Sequence, residues 1–242
     1  MPALNEEASI SAAIDDTLTA FKGLDLKGEV VVINDGSTDS TPGIVKQKMQ
    51  DSPQLIRMVN HDKPMGVGAS FWDGVDAAGG NIICMLPGDN EIEPQEILQY
   101  LPLLDGVDMV VPFTFNKEVR TRFRNILSAV YLFIINSTFR TSFNYTNGTI
   151  MYRKSLLKEL DCRNSSFFFQ TDILMRLTKR GYLFAEVPYR LRARVGGKTK
   201  AITWRSFCKV ANGYFKLIKT IYFKKEDKKG FNVNSATFQR YK

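Results

Sequence analysis

Apolar and polar positions along this chain fall into two kinds of block. Short apolar-rich runs at 30–33, 55–59, 82–86 and 108–112 carry Val, Ile, Leu and Met and read as strands buried in a sheet. Between them, apolar residues recur at helical spacing. Residues 5–21 predict a helix with Ile10, Ala13, Ile14 and Leu18 on one face, and further helices are predicted over 41–49, 70–78 and 95–104. Gly79 and Gly80 end the third of these. Later, 173–179 predicts a helix with Gly181 as its C-cap, followed by a strand over 182–187. Strand and helix alternate, so the expected class is α/β, a doubly wound single domain around a mostly parallel sheet. With 242 residues and 44% hydrophobic content, the chain can bury one substantial core.

Two apolar stretches fit no strand. The run 126–135 is bracketed by Arg120, Arg122, Arg124 and Arg140, and it is too short to span a bilayer. Two readings stand: a helix buried in the core, or one lying in a membrane interface with its arginines toward headgroups. After residue 200, Phe207, Tyr214, Phe215, Leu217, Ile218, Ile221, Tyr222 and Phe223 are interleaved with Lys209, Lys216, Lys219, Lys224 and Lys225. This predicts a basic amphipathic helix, again either interfacial or packed on the core with a disordered tail after Lys228.

The strand ends carry the candidate chemistry. Residues 30–33 run into Asn34-Asp35-Gly36-Ser37-Thr38-Asp39, which places a carboxylate at the carboxyl end of a buried strand, where open α/β sheets bind ligands. Asp35 suits a hydrogen bond to a base or ribose, and the competing reading is a simple helix cap. The strand 82–86 ends in Pro87-Gly88-Asp89-Asn90-Glu91. Asp89 and Glu91 lie two apart in an extended turn, which suits Mg²⁺ or Mn²⁺ shared with substrate phosphates. Gly66-Val67-Gly68 opens the helix containing Trp72, either as a tight turn or as a close backbone approach to a ligand. Together these features predict a nucleotide-sugar site.

The charge of +8 adds an anionic partner: nucleotide, lipid phosphate or acidic membrane surface, with no nucleic-acid motif beside it. Cys84, Cys162 and Cys208 are widely spaced and read as reduced thiols. A single histidine, His61, excludes a histidine-rich metal site and makes a Ser-His-Asp triad a poor fit. The expected location is the cytoplasm, with contact at the inner face of a membrane.

In order along the chain, Pro2-Ala3-Leu4-Asn5-Glu6-Glu7, the Asn34 to Asp39 turn, Gly66-Val67-Gly68-Ala69 and the Asp89 turn resemble family 2 glycosyltransferases of the nucleotide-diphospho-sugar transferase fold. The branch is that of polyprenyl-phosphate sugar transferases, typified by dolichyl-phosphate mannose synthase. The resemblance covers residues 1–200, taken as the catalytic domain, and leaves 201–242 as the C-terminal helix and tail. It implies an inverting, metal-dependent hexosyltransferase acting on a lipid-phosphate or glycan acceptor.

By residue, it implies donor contacts from Pro2, Leu4, Glu6, Asp35, Gly66, Gly68 and Asp89, with Asp89 and Glu91 holding Mg²⁺ or Mn²⁺. Arg120 and Arg124 correspond to arginines near the acceptor phosphate. Asp172, in the first turn of a helix, corresponds to an acidic residue near the acceptor; read without the family, it is a structural helix cap. Arg194-x-x-Gly-x-Thr-Lys200 resembles a segment that closes over the phosphates, and a solvated basic face is the alternative. Pro87 stands where the family has the first Asp of Asp-x-Asp, Leu4 where it is often aromatic, and Asn144 where it has Asp. The family's first strand precedes the Pro2 turn, so a truncated N-terminal strand is expected. Two other classes remain: a nucleotide-sugar-binding protein impaired by Pro87, and a nucleotidyltransferase on a related fold.

Overall fold

The computed structural model describes residues 1–192, 204–223 and 230–242. Three parallel strands, β1 (Pro2–Ala3), β2 (Val30–Asn34) and β3 (Ile56–Asn60), form one sheet in that order. A second sheet has the order β4 (Ile82–Cys84), β6 (Met151–Arg153), β5 (Met109–Thr114) and β7 (Phe184–Tyr189). The pairs β1–β2, β2–β3 and β5–β7 are parallel, as the expected mostly parallel arrangement requires. β6 is inserted antiparallel to both β4 and β5. This three-residue strand is too short to give a periodic signal of its own.

Helices α1 (Ile10–Gly23), α2 (Thr41–Asp51) and α3 (Val67–Ala77) follow the strands of the first sheet. All five residues of β2 are buried, as its Val-rich run requires. The helix expected over 95–104 is broken into α4 (Pro94–Leu98) and a 3₁₀ turn, Leu101–Asp105. Pro102 has no N–H to continue an α-helix. Beyond β5 come α5 (Arg122–Phe139), α6 (Lys154–Lys158), α7 (Phe169–Lys179) and α8 (Trp204–Ile218), which continues as a π turn over Lys219–Phe223.

β1 is only two residues long: Pro2 is in register with Ile33 and Ala3 with Asn34. The Met1 amine donates to the Val31 carbonyl at 2.7 Å, and Gly88 N–H donates to the Pro2 carbonyl at 3.0 Å, linking β1 to the end of β4. Beside this short strand lies an apolar cavity of ≈ 870 Å³, lined in part by Val30, Val31, Ile82, Ile83 and Phe21. Cys84 faces the same cavity, and burial pushes its thiol up to about 12.

The main core joins α3, β5, β6 and α7 to Ile135 and Phe139 of α5 and Leu217 of α8. Most of the remaining apolar run of α5 is exposed, against the reading of a helix wholly buried in the core. Phe123, Ile126, Leu127, Val130, Phe133 and Ile134 form an exposed stripe, with Phe123 at 70% and Phe133 at 72%. α8 divides its apolar residues: Leu217 is buried, Tyr214 packs on Phe139, and Phe207 and Phe215 face outward. One of the two readings had a disordered tail after Lys228; instead 230–242 include a helix, α9 (Ala236–Tyr241), whose first N–H groups are capped by the buried Asp108.

Candidate active site

The carboxyl ends of β1, β2 and β4 converge. Asp35 N–H donates to the Ala3 carbonyl at 2.9 Å, and Ser9 Oγ donates to the Gly88 carbonyl at 2.9 Å. The first two sequence motifs lock together. Asn5 N–H donates to Ser37 Oγ, Thr38 N–H to Asn5 Oδ1, Glu6 N–H to Thr41 Oγ1 and Ser40 N–H to Glu7 Oε2. Asn5 adopts a left-handed φ of 54° to make this turn, a conformation that asparagine tolerates. Pro2, Leu4 and Glu6 are thereby held at the mouth formed by the strand ends, with Leu4 and Glu6 half-buried.

Asp35 is 4% exposed and is fully engaged. Its Oδ1 accepts from Met65 N–H at 2.7 Å and its Oδ2 from Gly66 N–H at 2.9 Å, while His61 Nδ1 stands 2.7 Å from Oδ1. The carboxylate therefore anchors the turn into α3. Gly66 (φ 100°) opens that helix. A Cβ on Gly68 would lie 2.5 Å from the Asn164 carbonyl oxygen, so that glycine is required by a neighbouring backbone of the protein itself. At Gly68 the close approach is therefore to a loop of the protein itself and not to a ligand.

At the end of β4, Asp89 Oδ1 accepts from Glu91 N–H at 3.1 Å, and Asn90 between them has φ 55°. The turn presents Asp89 and Glu91, both half-buried. Hard oxygen donors of this kind fit Mg²⁺ or Mn²⁺ when phosphates supply the other ligands. Among the described residues, no group of three or more His, Cys, Asp or Glu side chains is arranged to hold a metal without such help. Glu91 is also tied to the far end of the chain: Arg192 N–H donates to its carbonyl at 2.9 Å, and Ile92 bridges Leu191. Arg194 and Lys200 lie outside the described residues, but the chain leaves Arg192 beside the Asp89–Glu91 turn. Arg192 itself is committed to Asp16 and Glu93 at 2.7 and 3.2 Å.

Arg120 lies before α5, with its guanidinium carbon 5.4 Å from the centre of the Tyr145 ring and Nη2 3.4 Å from Thr114 Oγ1. Its Nε is buried and has no hydrogen-bond partner among the described residues. Buried donors are ordinarily paired, so this one marks a place for an acceptor. Burial raises the Tyr189 phenol, and Tyr145, Arg120 and Glu91 all act on it electrostatically. Arg124 is one turn further on, in the first turn of α5, where its N–H meets the capping Thr121.

Asp172 is 3% exposed and ion-paired within α7 to Arg176, whose Nε is 3.1 Å away. Asn144, where the family pattern has Asp, donates through N–H and Nδ2 to Glu186 at 2.7 and 3.0 Å. The following turn is tied to α7 by Thr171, whose hydroxyl lies 3.0 Å from Thr146 Oγ1 and 2.9 Å from Asn147 Oδ1. His61, Asp73, Thr114 and Tyr145, which the structure sets beside Asp35 or Arg120, were not among the residues expected from the sequence. Only His61 stood out beforehand, as the sole histidine.

The structure resembles glucosyl-3-phosphoglycerate synthase from Mycobacterium tuberculosis, solved with Mn²⁺, UDP-glucose and phosphoglyceric acid. The TM-score is 0.69 at 22% identity, over 90% of this chain and 77% of that one, which shows a shared fold. Among curated relatives, dodecaprenyl-phosphate galacturonate synthase of Rhizobium johnstonii is 24% identical over 163 residues, covering 66% of this chain and 48% of its own length. Undecaprenyl-phosphate 4-deoxy-4-formamido-L-arabinose transferase of Salmonella choleraesuis is 25% identical over 220 residues, 90% of this chain and 65% of its own. The chain thus spans about half to two thirds of the length of these relatives. The family model for Glycosyl transferase family 2 matches residues 1–161, two thirds of the sequence, and the chain belongs to that family.

Proposed function

We propose that this protein transfers a sugar from a nucleoside-diphosphate sugar to a lipid phosphate, with inversion at the anomeric carbon. The observation that carries this reading is the position of Arg120. Its Nε is buried with no hydrogen-bond partner among the described residues, Arg120 and Glu91 both act electrostatically on Tyr189, and two residues later begins α5, whose apolar stripe is exposed. A phosphate headgroup at Arg120 and Arg124 could keep its hydrocarbon against that stripe, within a membrane interface. Family membership and the names of the two prenyl-phosphate relatives support the same acceptor class. No helix among the described residues is long and apolar enough to cross a membrane, so the proposed contact is peripheral.

On this reading Pro2, Leu4 and Glu6 line the nucleoside side, while Asp35, with Gly66 and Gly68, shapes its border. Asp89 and Glu91 would hold Mg²⁺ or Mn²⁺, which when bound neutralises charge on the departing diphosphate. Glu91 makes up the carboxylate absent at Pro87. An oxygen of the lipid phosphate attacks the anomeric carbon as the bond to the nucleoside diphosphate breaks. Arg194 and Lys200 close over the charged groups and exclude water, which limits hydrolysis. A phosphate is already an anion and needs no general base. Asp172 then orients the acceptor side through Arg176, and it becomes the proton acceptor only if the nucleophile is a hydroxyl.

The test is release of nucleoside diphosphate from a panel of nucleotide sugars, with and without polyprenyl phosphate and Mn²⁺. Release that needs both supports the proposal. Consumption of nucleoside triphosphate with release of pyrophosphate would replace it with a nucleotidyltransferase, and nucleotide binding without turnover would leave only a binding protein.

A further inference from the structure

Asp35 and Asp73 stand on different elements, the end of β2 and the middle of α3, and one imidazole joins them. His61 directly follows β3, where its N–H donates to the Asn34 carbonyl at 2.9 Å. Its Nδ1 is 2.7 Å from Asp35 Oδ1 and its Nε2 is 2.9 Å from Asp73 Oδ2. The ring is buried with Asp35, whereas Asp73 reaches the surface. When the ring carries both protons, it donates a charge-assisted hydrogen bond to each carboxylate. The same Asp35 carboxylate accepts the N–H groups of Met65 and Gly66, which lead into α3. A histidine serving only as core filling would have no need of carboxylates on two separate elements.

We infer that His61 is a positioning residue for the donor pocket. It clasps α3 to the end of β2 and so sets the Met65–Gly66 turn that borders the nucleotide. This rests on the reading of the strand ends as the donor pocket. Removing the ring leaves Asp35 with its two backbone donors, so the local fold persists. It breaks the link to Asp73, however, and α3 with its leading turn gains freedom relative to β2. The loss falls on nucleotide binding, because the displacement takes place at the other side of the pocket, by Asp89, Glu91 and Arg120.

The experiment compares His61→Ala and His61→Gln in the whole chain, reading the Kd of nucleoside diphosphate with Mn²⁺, the donor KM and kcat. Loss of a hydrogen bond to a charged group predicts that Kd and KM rise about tenfold or more in His61→Ala. Uniform loss of ground-state and transition-state binding leaves kcat within about twofold. His61→Gln should recover part of the affinity, since its amide nitrogen stands in for Nε2 and can donate to Asp73. Asp73→Asn should weaken binding in the same direction and non-additively with His61→Ala. Lower thermal stability with unchanged Kd and KM, or a fall in kcat alone, overturns the inference. Asp89→Ala, measured in parallel, separates two failures. If neither variant affects nucleotide binding, the donor-pocket reading falls; if only Asp89→Ala does, the His61 role falls by itself.

Discussion

The N–H of Arg192 donates to the carbonyl of Glu91 at 2.9 Å, joining two segments a hundred residues apart. One is the acidic turn after β4, and the other is the last described stretch before Arg194. This contact, with the Ile92–Leu191 bridge beside it, holds Arg192 against the proposed metal turn.

Asp89 is expected to be required for metal-assisted donor binding. Asp89→Ala should lower turnover by at least about 10²-fold, the loss expected for a positioned electrostatic group. It should also weaken Mn²⁺-dependent nucleotide binding in calorimetry. Glu91→Gln distinguishes charge from geometry: a drop in metal affinity means that Glu91 supplies the charge missing at Pro87. Unchanged activity and metal response in Asp89→Ala would remove the metal assignment.

The segment from Arg194 to Lys200 should act on phosphates and contribute little to folding. Arg194→Ala and Lys200→Ala are expected to reduce kcat/KM strongly while moving Tm little. Limited proteolysis should show protection of this segment when nucleoside diphosphate and Mn²⁺ are added. Active alanine variants with a segment equally protected without ligand would restore the solvated-face reading.

The exposed stripe on α5 gives a separate prediction about membranes. Ile126→Ser with Phe133→Ser should leave Tm nearly unchanged, because neither side chain is buried. Flotation with anionic vesicles should weaken by about tenfold or more, since fully burying a large apolar side chain is worth roughly 1.5–3 kcal/mol. High salt should weaken binding further by screening the basic residues that flank the stripe. Equal flotation of variant and parent would place the contact elsewhere.

Much of the fold could be read from the chain because its signals are local. The valine run of β2, the helical spacing of Ile10, Ala13 and Ile14, and the acidic turns at Asp35 and Asp89 all stand where expected. What escaped depends on partners distant in sequence. The three residues of β6 become a strand only by filling the space between β4 and β5. Gly68 signals a close approach, but only the fold reveals that Asn164 and Ser165 are what approach. The apolar run of α5 predicted a helix, yet which of its faces meets the core is decided by α8 and α7, not by α5 itself. His61 carries no motif at all; its meaning comes from two carboxylates brought to it by β2 and α3.

Asp108 gives the last prediction, on how the C-terminal residues are held. It is fully buried just before β5, and its carboxylate accepts from Ala236 N–H at 2.6 Å and from Leu183 N–H and Thr237 N–H, each at 3.2 Å. Thr237 Oγ1 donates to it as well, and Arg153 Nε approaches to 3.6 Å. One carboxylate thus caps α9 and fixes the strand entrance at β7, so the tail is tied to the sheet that carries Arg120 and Arg192. Asp108→Ala leaves several buried donors without an acceptor, each costing roughly 1–3 kcal/mol. Domains are stable by only about 5–15 kcal/mol, so the variant should unfold at clearly lower denaturant concentration. Asp108→Asn should lie between it and the parent, since an amide oxygen still accepts but the amide nitrogen faces donors. Removing residues 230–242 should reproduce much of the loss in a chain that keeps Asp108. If urea midpoints are unchanged in Asp108→Ala, α9 is not an integral part of the fold.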